Sequence, residues 1–352
     1  MIFGSNAEDL MTQIKQVSIV RLVQPVDMTD VWKTESMGVS IAPCTCEGAK
    51  LSAQEREELK LIEESCQLQE NKWIMKNPWK RSPSILPNNY VQVRKKLESL
   101  ERRLMKDPEN ASSSKQSNPG DETMQFTRQL SPKGLTDWKG PIHYVSHHAV
   151  IRPERKRTSV RIAFNRSASY NGHTLNDYWF KGPDLLNDLF GVVIRFRENP
   201  YAICGDIAKM YHMIAIPEED QHVHGFLWRN YEVDREKDTY VKTVLTFGDR
   251  PASTMAITAM QKTANMEKEG KPRAAEAILK NPYVDDICDS VNNVQEAKAL
   301  MSDIDKVLDV GGFHVKQCIS SEQSDVKENP SGVAIGGESL WLSQEDMFTF
   351  KI

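Results

Sequence analysis

The chain has 352 residues, of which 39% are hydrophobic and 27% are charged, and its formal net charge is -4. This length is enough for two or three domains, and the composition is ordinary for a globular protein in water. No apolar run approaches the roughly 18 residues that cross a membrane. The N-terminus lacks the basic and then apolar pattern of a signal peptide. We therefore expect an intracellular protein, in the cytoplasm or the nucleus, that is not secreted and has no membrane partner.

Residues 1–75 are acidic and are predicted to form a separate segment. Ser52-Ala-Gln-Glu55 is a capping-box pattern, in which the Ser and Glu side chains satisfy free backbone N–H groups. It predicts a charged helix that runs to about Glu70. The six cysteines are scattered along the chain, which favours free thiols over a disulfide framework.

Residues 76–138 combine a proline-rich connector, a basic amphipathic helix and a flexible loop. The helix is predicted from apolar residues at spacings of four, three and four, namely Val93, Leu97, Leu100 and Leu104. The basic side chains on the other faces of this helix are expected to face solvent, and the alternative is that they contact RNA. The Ser-rich stretch from Glu109 to Asp121 predicts the loop.

The stretch from Lys139 to Arg166 is strongly basic. Clustered Lys and Arg side chains bind nucleic-acid phosphates, which supply most sequence-independent affinity. A solvated loop explains Arg155-Lys156-Arg157 equally well when that run is taken alone. The predicted phosphate-binding patch comprises Arg152, Arg155, Lys156, Arg157, Arg161 and Arg166.

Three carboxylates carry the chemical prediction. Asp206 follows an apolar strand, and Asp285-Asp286 lie in a run from Ile278 to Cys288 that predicts a strand, a tight turn with the acids, and a second strand. Adjacent buried like charges are costly unless a cation neutralises them. A solvated loop is the alternative for an Asp-Asp pair alone. If the strands share one sheet, the carboxylates converge and can hold two Mg2+ ions, which clamp the oxygens of a phosphoryl displacement.

The order of four motifs resembles motifs A to D of reverse transcriptases. They are Asp206-Ile-Ala-Lys-Met-Tyr211, Phe247-Gly248, Tyr283-Val-Asp-Asp286 and Gly311-Gly-Phe-His-Val-Lys316. Flanking segments resemble the Pol polyprotein of BEL/Pao-class LTR retrotransposons, namely His147-His-Ala-Val-Ile-Arg152, Val160-Arg-Ile-Ala-Phe-Asn-Arg-Ser167, Leu175-Asn-Asp177, residues 182–192 and Ala275-Glu-Ala-Ile-Leu279. The resemblance extends from about Trp79 to about Ser320.

The resemblance implies an α+β fold of right-hand polymerase type. Residues 139–320 would form fingers and a palm, with a ferredoxin-like palm sheet backed by helices. Residues 321–352 would be a C-terminal tail, and the thumb would be mostly absent. Residues 1–75 would match the distal end of the preceding protease region plus a linker helix. No Asp-Thr-Gly or Asp-Ser-Gly occurs, so we expect no peptidase activity.

The resemblance also implies roles for individual residues. Asp206 and Asp285 would ligate two Mg2+ or Mn2+ ions, and Asp286 would add charge. Lys316 would act as an acid or charge partner for the leaving pyrophosphate. Nucleotide-binding residues would be Arg161 on the phosphates, Tyr211 as a gate beneath the sugar, and Phe247 with Gly248 along the base. The histidines His222 and His224 are interpreted as polar surface rather than as metal ligands.

Three hypotheses follow for function. The first is an RNA-directed DNA polymerase that uses an RNA template, a DNA or RNA primer and deoxynucleoside triphosphates. The second is a catalytically inactive remnant that binds nucleic acid. The third is another palm enzyme, such as an RNA-dependent RNA polymerase or a nucleotide cyclase, which is not expected to carry a sugar-gate aromatic five residues after Asp206. We rank the first ahead of the other two, because the ordered series of motifs is specific.

Overall fold

The computed structural model describes residues 51–105, 126–151, 160–230, 232–320, 333–335, 339–342 and 347–350. Within these residues the architecture is α+β, with helices packed on small sheets. None of the described helices has both the length and the hydropathy needed to cross a membrane. Residues 1–50 and the basic residues Arg152, Arg155, Lys156 and Arg157 lie outside the described part of the chain.

The first described helix, α1 (Ala53–Ser65), begins at the predicted capping box. The Ser52 hydroxyl accepts a hydrogen bond from the Glu55 N–H, and the Glu55 carboxylate accepts one from the Ser52 N–H. The helix ends at Ser65, not near Glu70 as predicted, because the chain then forms a tight hairpin. Strands β1 (Gln67–Gln69) and β2 (Lys72–Ile74) are joined by two residues with positive φ, Glu70 and Asn71, as a type I′ turn requires.

The predicted boundary at residue 75 is wrong. Ile62, Trp73 and Met75 are buried in the largest hydrophobic core. The Trp73 indole N–H donates to the Thr263 hydroxyl over 2.9 Å, and β2 pairs in parallel with β9 (Ile214–Ala215). Residues 51–75 therefore belong to the compact unit that spans residues 51–352. Their acidic composition reflects a solvated helix face and not a domain boundary.

Helix α2 (Tyr90–Met105) buries the predicted stripe of Val93, Leu97, Leu100 and Leu104, and exposes its basic side chains. It packs against β4 (Ser146–Ile151) and β10 (Gly225–Trp228). Strand β4 pairs with β5 (Val160–Asn165). Strands β10, β11 (Asp238–Lys242) and β3 (Thr127–Leu130) form one antiparallel sheet.

Shorter elements connect these parts. Two short strands, β6 (Ser169–Tyr170) and β7 (His173–Thr174), form a hairpin. The small helices are α3 (Pro132–Asp137) and α5 (Glu218–Gln221). Single 3-10 turns span Pro83–Ile85, Leu175–Tyr178, Met210–Met213 and His222–His224.

The central sheet is antiparallel, in the order β12 (Pro282–Tyr283), β13 (Asp286–Val291), β8 (Tyr201–Ile207) and β14 (Val315–Ser320). Its strands alternate between two cores, as the two-residue period of a strand requires. Ile203, Ile207, Ile287 and Val291 face the large core, whereas Ala202, Cys204 and Cys288 pack with Val192 and Phe196.

Four helices surround this sheet. Helices α6 (Ala252–Met266), α7 (Pro272–Lys280) and α8 (Val294–Asp309) contribute to the large core, and α4 (Leu189–Phe196) covers the other face. The predicted strand at Ile278 is wrong, because α7 begins with a proline in its first turn and buries three alanines, a favourable helical pattern. Helix α8 stops before Gly312, whose φ of 75° is the left-handed conformation in which helices commonly end.

The predicted C-terminal tail contains regular structure. Strands β15 (Val333–Ile335), β16 (Ser339–Leu342) and β17 (Met347–Phe350) form an antiparallel three-stranded sheet. In the described part of the chain, Cys66, Cys204 and Cys288 form no disulfide, as predicted.

Candidate active site at the end of the central sheet

Backbone register places two of the predicted carboxylates side by side. Asp206 in β8 is the direct partner of Asp286 in β13. The Ile207 N–H donates to the Asp285 carbonyl over 2.8 Å, so the Asp206–Asp286 pair is of the non-hydrogen-bonded kind. In such pairs the side chains approach most closely, with Cβ atoms about 4.5–5.5 Å apart. The two carboxylates therefore share one face of the sheet.

The third carboxylate is presented by a strained turn. Tyr283 pairs with Asp286, which leaves Val284 and Asp285 as the two residues of the turn. Val284 has a φ of 59°, which is a true outlier for a β-branched side chain. Such a conformation costs about 1–3 kcal/mol and persists only where the surrounding structure enforces it. Here the Ile207–Asp285 backbone bond ties the turn to β8, next to Asp206.

The pKa of Asp206 is affected by burial and by the nearby carboxylate of Asp285. Burial raises the pKa of the Asp206 carboxyl, and the nearby charge of Asp285 raises it further. Lys316 opposes the shift, with its Nζ 3.8 Å from Asp206 Oδ2. Both side chains are partly solvated, so this ion pair stabilises the fold little.

A β-bulge directs Lys316 to this position. Val315 pairs with Ile207 and Gln317 pairs with Asp206, so Lys316 is the extra residue of β14. Bulges commonly redirect a side chain in this way. Lys316 therefore lies beside Asp206.

The donor chemistry fits hard divalent cations. Mg2+ prefers carboxylate oxygens and is usually bound through one or two carboxylates together with substrate phosphates. Asp206 and Asp285 offer such a pair, and Asp286, which is 8% exposed, lies directly beside it. Among the described residues, no group of three or more His, Cys, Asp or Glu side chains is arranged as a ready metal cage. The three aspartates therefore do not form a preformed three-ligand metal site in the described part of the chain.

Tyr211 lies near Asp285, and Phe247 packs edge-on against Tyr211. Tyr211 belongs to the 3-10 turn after β8, and its ring is partly buried against the large core. Burial raises the pKa of its phenol, and Asp285 raises it further, whereas a hydrogen bond with the Ser253 side chain lowers it. The Phe247 ring stands edge-on to the Tyr211 ring, with centroids 4.7 Å apart, and is 61% exposed. Gly248 follows with a φ of 90°, which only glycine adopts readily.

The structure does not group all predicted binding residues. Arg161 lies in β5 with its backbone opposite Val150, and its side chain is not among the described ones. Arg166 was predicted to join the phosphate-binding patch, but it is 3% exposed and forms a buried ion pair with Asp249. The prediction was wrong because sequence composition counts charges without showing their partners.

Sequence reasoning also missed a buried polar cluster beneath the site. His222 and His224 are 4% and 1% exposed, so they are not polar surface. The His224 ring stacks on Trp179, with centroids 5.2 Å apart, and its Nδ1 accepts a hydrogen bond from Arg166. Burial lowers the pKa of His224 well below its usual value, which keeps the ring neutral. No local spacing links Arg166, His224 and Asp249 in the sequence, so no pattern signal identifies the cluster.

Comparison with known proteins yields only remote similarity. No family model and no curated protein matches the chain. Among solved structures, the chain is similar to a foamy viral protease-reverse transcriptase in complex with an RNA/DNA hybrid, at 15% identity and a TM-score of 0.41, over 76% of this chain and 31% of the other. The same viral protein in complex with dsDNA gives the same identity and TM-score, with 48% of its chain covered. The chain thus spans less than half of either, and similarity at this level carries no argument about function.

Proposed function

We propose that this chain is the fingers-palm segment of a reverse transcriptase from a BEL/Pao-class retrotransposon Pol polyprotein. Its activity would be RNA-directed DNA polymerisation by two-metal nucleotidyl transfer. The observation that carries the proposal is the pairing of Asp206 with Asp286, with Asp285 presented by the adjoining turn. The order of the four sequence motifs supports the same conclusion.

Asp206 and Asp285 would hold two Mg2+ or Mn2+ ions in this reaction. When bound, such ions stabilise the attacking and leaving oxygens of an in-line displacement. Asp286 adds negative charge that favours cation binding. Lys316, whose Nζ lies 3.8 Å from Asp206 Oδ2, would serve as an acid or charge partner for the leaving pyrophosphate.

The remaining residues would position the substrates. The edge-on pair of Tyr211 and Phe247 would pack against the deoxynucleotide. Gly248 has no side chain, so the protein backbone could approach the nucleotide closely there. Arg161 would contact the nucleotide phosphates. The basic residues Arg152, Arg155, Lys156 and Arg157 would contact the RNA template and the DNA or RNA primer. The working location would be intracellular.

Primer extension tests the proposal directly. Purified protein should incorporate deoxynucleotides on an RNA template with Mg2+ or Mn2+, and incorporation should stop when EDTA removes the metal. Binding of the same primer-template, followed by fluorescence anisotropy at low salt, should be measured in parallel. Binding without extension would support the inactive remnant instead. Extension that prefers ribonucleotides would favour another palm enzyme.

Tyr211→Ala tests the sugar gate. If the ring lies beneath the sugar, its removal relieves the clash with a 2′-hydroxyl, which distinguishes ribonucleotides from deoxynucleotides. The ratio of kcat/KM for deoxynucleotide over ribonucleotide should then fall by about 10-fold or more, and Tyr211→Phe should keep most of the discrimination. A ring that serves only packing predicts a different result: an unchanged ratio with a lower melting temperature, since aromatic truncations typically cost about 3–5 kcal/mol.

A further inference from the structure

The loop that carries Phe247 and Gly248 is held from outside by one amide side chain. This loop, residues 246–250, follows β11 and precedes α6. The Asn176 Nδ2 donates to the Gly248 carbonyl over 2.9 Å, and the Asn176 Oδ1 accepts from the Arg250 N–H over 3.0 Å. One side chain thus satisfies a carbonyl and an N–H on either side of Asp249.

Asn176 is itself firmly anchored. It lies in the 3-10 turn Leu175–Tyr178, whose Leu175 and Tyr178 are 1% and 0% exposed. The Tyr178 hydroxyl bonds to the His173 ring and to the Ile85 carbonyl. The amide of Asn176 therefore projects from a turn whose flanking side chains are buried.

A buried ion pair holds the same loop from beneath. Arg166 Nε lies 3.1 Å from Asp249 Oδ1, and both side chains are 1% exposed. Asp249 Oδ2 accepts from the Thr246 N–H and the Thr246 hydroxyl, over 3.0 and 2.9 Å. Arg166 also donates to the Thr246 hydroxyl. A Cβ at Gly248 would lie 3.4 Å from Arg166 Cγ, so the loop rests on the arginine stem.

The backbone turn at Phe247 is closed by a hydrogen bond from the Asp249 N–H to the Thr246 carbonyl over 3.2 Å, and the Phe247 side chain itself is loosely packed. Its side chain is 61% exposed, and its ring contacts are edge-on to Tyr211 and His212 at 4.7 and 5.9 Å. The conformation of the loop backbone thus sets where the ring stands. A small rotation at Gly248 would separate Phe247 from Tyr211.

We infer that Asn176 is a positioning residue, which acts with the Arg166–Asp249 pair to hold the 246–250 loop so that Phe247 stays edge-on to Tyr211. This inference rests on the proposed function, because it assigns to the Phe247–Tyr211 pair the recognition of the nucleotide sugar. Asn176 acts on the substrate only through the loop. Its loss therefore affects nucleotide affinity and sugar choice more than the rate of transfer.

Asn176→Ala is the variant that tests this inference, and Asp177→Ala is its control, since Asp177 is an exposed neighbour on the same turn. Two measurements need no activity: amide hydrogen exchange across residues 246–250, and nuclear Overhauser contacts between the Phe247 and Tyr211 rings. Asn176→Ala should speed exchange at Arg250 by about 10-fold or more and weaken the ring contacts. Asn176→Asp keeps the acceptor for the Arg250 N–H and should restore part of its protection. The control should match the wild type.

Steady-state kinetics of nucleotide incorporation test the effect of Asn176 on function. In Asn176→Ala, KM for deoxynucleotide should rise by about 10- to 100-fold, and kcat should change less, because misplacement of a substrate contact is costly. Discrimination against ribonucleotide should fall. Unchanged exchange and ring contacts would overturn the inference, as would a loosened loop with unchanged KM and discrimination. If the wild type extends no primer, the proposed function fails, while exchange and ring contacts still decide whether Asn176 positions the loop.

Discussion

Asp285→Asn is expected to reduce the rate of deoxynucleotide incorporation by at least about 10³-fold. This is the upper end of the rate losses caused by removing one preorganised electrostatic contact. Phosphoryl transfer depends almost entirely on positioning and on neutralising developing charge. An amide keeps the shape of the side chain but removes the anionic ligand. Single-turnover incorporation at saturating nucleotide measures the effect. Asp234→Asn, an exposed site in the connection between β10 and β11, is the matched control and should retain full activity.

Asp206→Asn separates loss of catalysis from loss of folding. Burial and the neighbouring Asp285 raise the pKa of Asp206 in the folded protein. The folded state therefore favours the protonated form, and the stability that this group contributes is lost as pH rises through its folded pKa. At pH 7 the neutral amide should melt no lower than the wild type, and any gain should shrink as pH falls through the raised pKa of Asp206 and be gone below the ordinary value of about 4. Undiminished incorporation by either variant would refute the assignment of these carboxylates.

The placement of the aspartates at the end of one sheet could be predicted from sequence because the two segments that carry them are local. Short patterns of apolar and turn residues predict both the strand that ends near Asp206 and the hairpin that carries Asp285 at its tip. Their convergence follows once both strands join one sheet. The register that sets Asp206 against Asp286, and the bulge that directs Lys316, depend on pairing between distant strands. Local patterns contain no information about that alignment.

The errors have physical causes as well. The strand predicted at Ile278 is a helix, and the prediction was wrong because a short apolar run fits either a strand or a buried helix. Packing of this segment against α8 and the central sheet stabilises the helix α7. The acidic composition of residues 1–75 predicts a separate segment. The exposed charged side chains of α1 lie on one side of the helix, however, while Ile62 on the other side is buried in the core. Arg166 was assigned to a basic surface, because a buried ion pair with Asp249 requires knowledge of the fold.

Asp249→Ala is expected to destabilise the protein by about 3–5 kcal/mol, because it leaves the guanidinium of Arg166 buried and uncompensated. That charge cannot be relieved, since arginine does not lose its proton in proteins. His224 and Thr246 would still accept hydrogen bonds from it, but neither carries a negative charge. Chemical denaturation at pH 7 measures the loss. Lys60→Ala removes a solvent-exposed ion pair with Glu64 and should cost about 0–1 kcal/mol.

The opposite truncation, Arg166→Met, should cost less and should depend on pH. Burial raises the pKa of the Asp249 carboxyl, and Arg166 is the charge that opposes this shift. Without Arg166, Asp249 can become neutral by binding a proton, so the destabilisation should be largest near neutral pH and should shrink as pH falls through the raised pKa. Replacing both partners, as Arg166→Met with Asp249→Leu, should recover much of the loss, because no buried charge remains. Equal, pH-independent costs for the two single variants would show that packing, and not the ion pair, holds the 246–250 loop on its support.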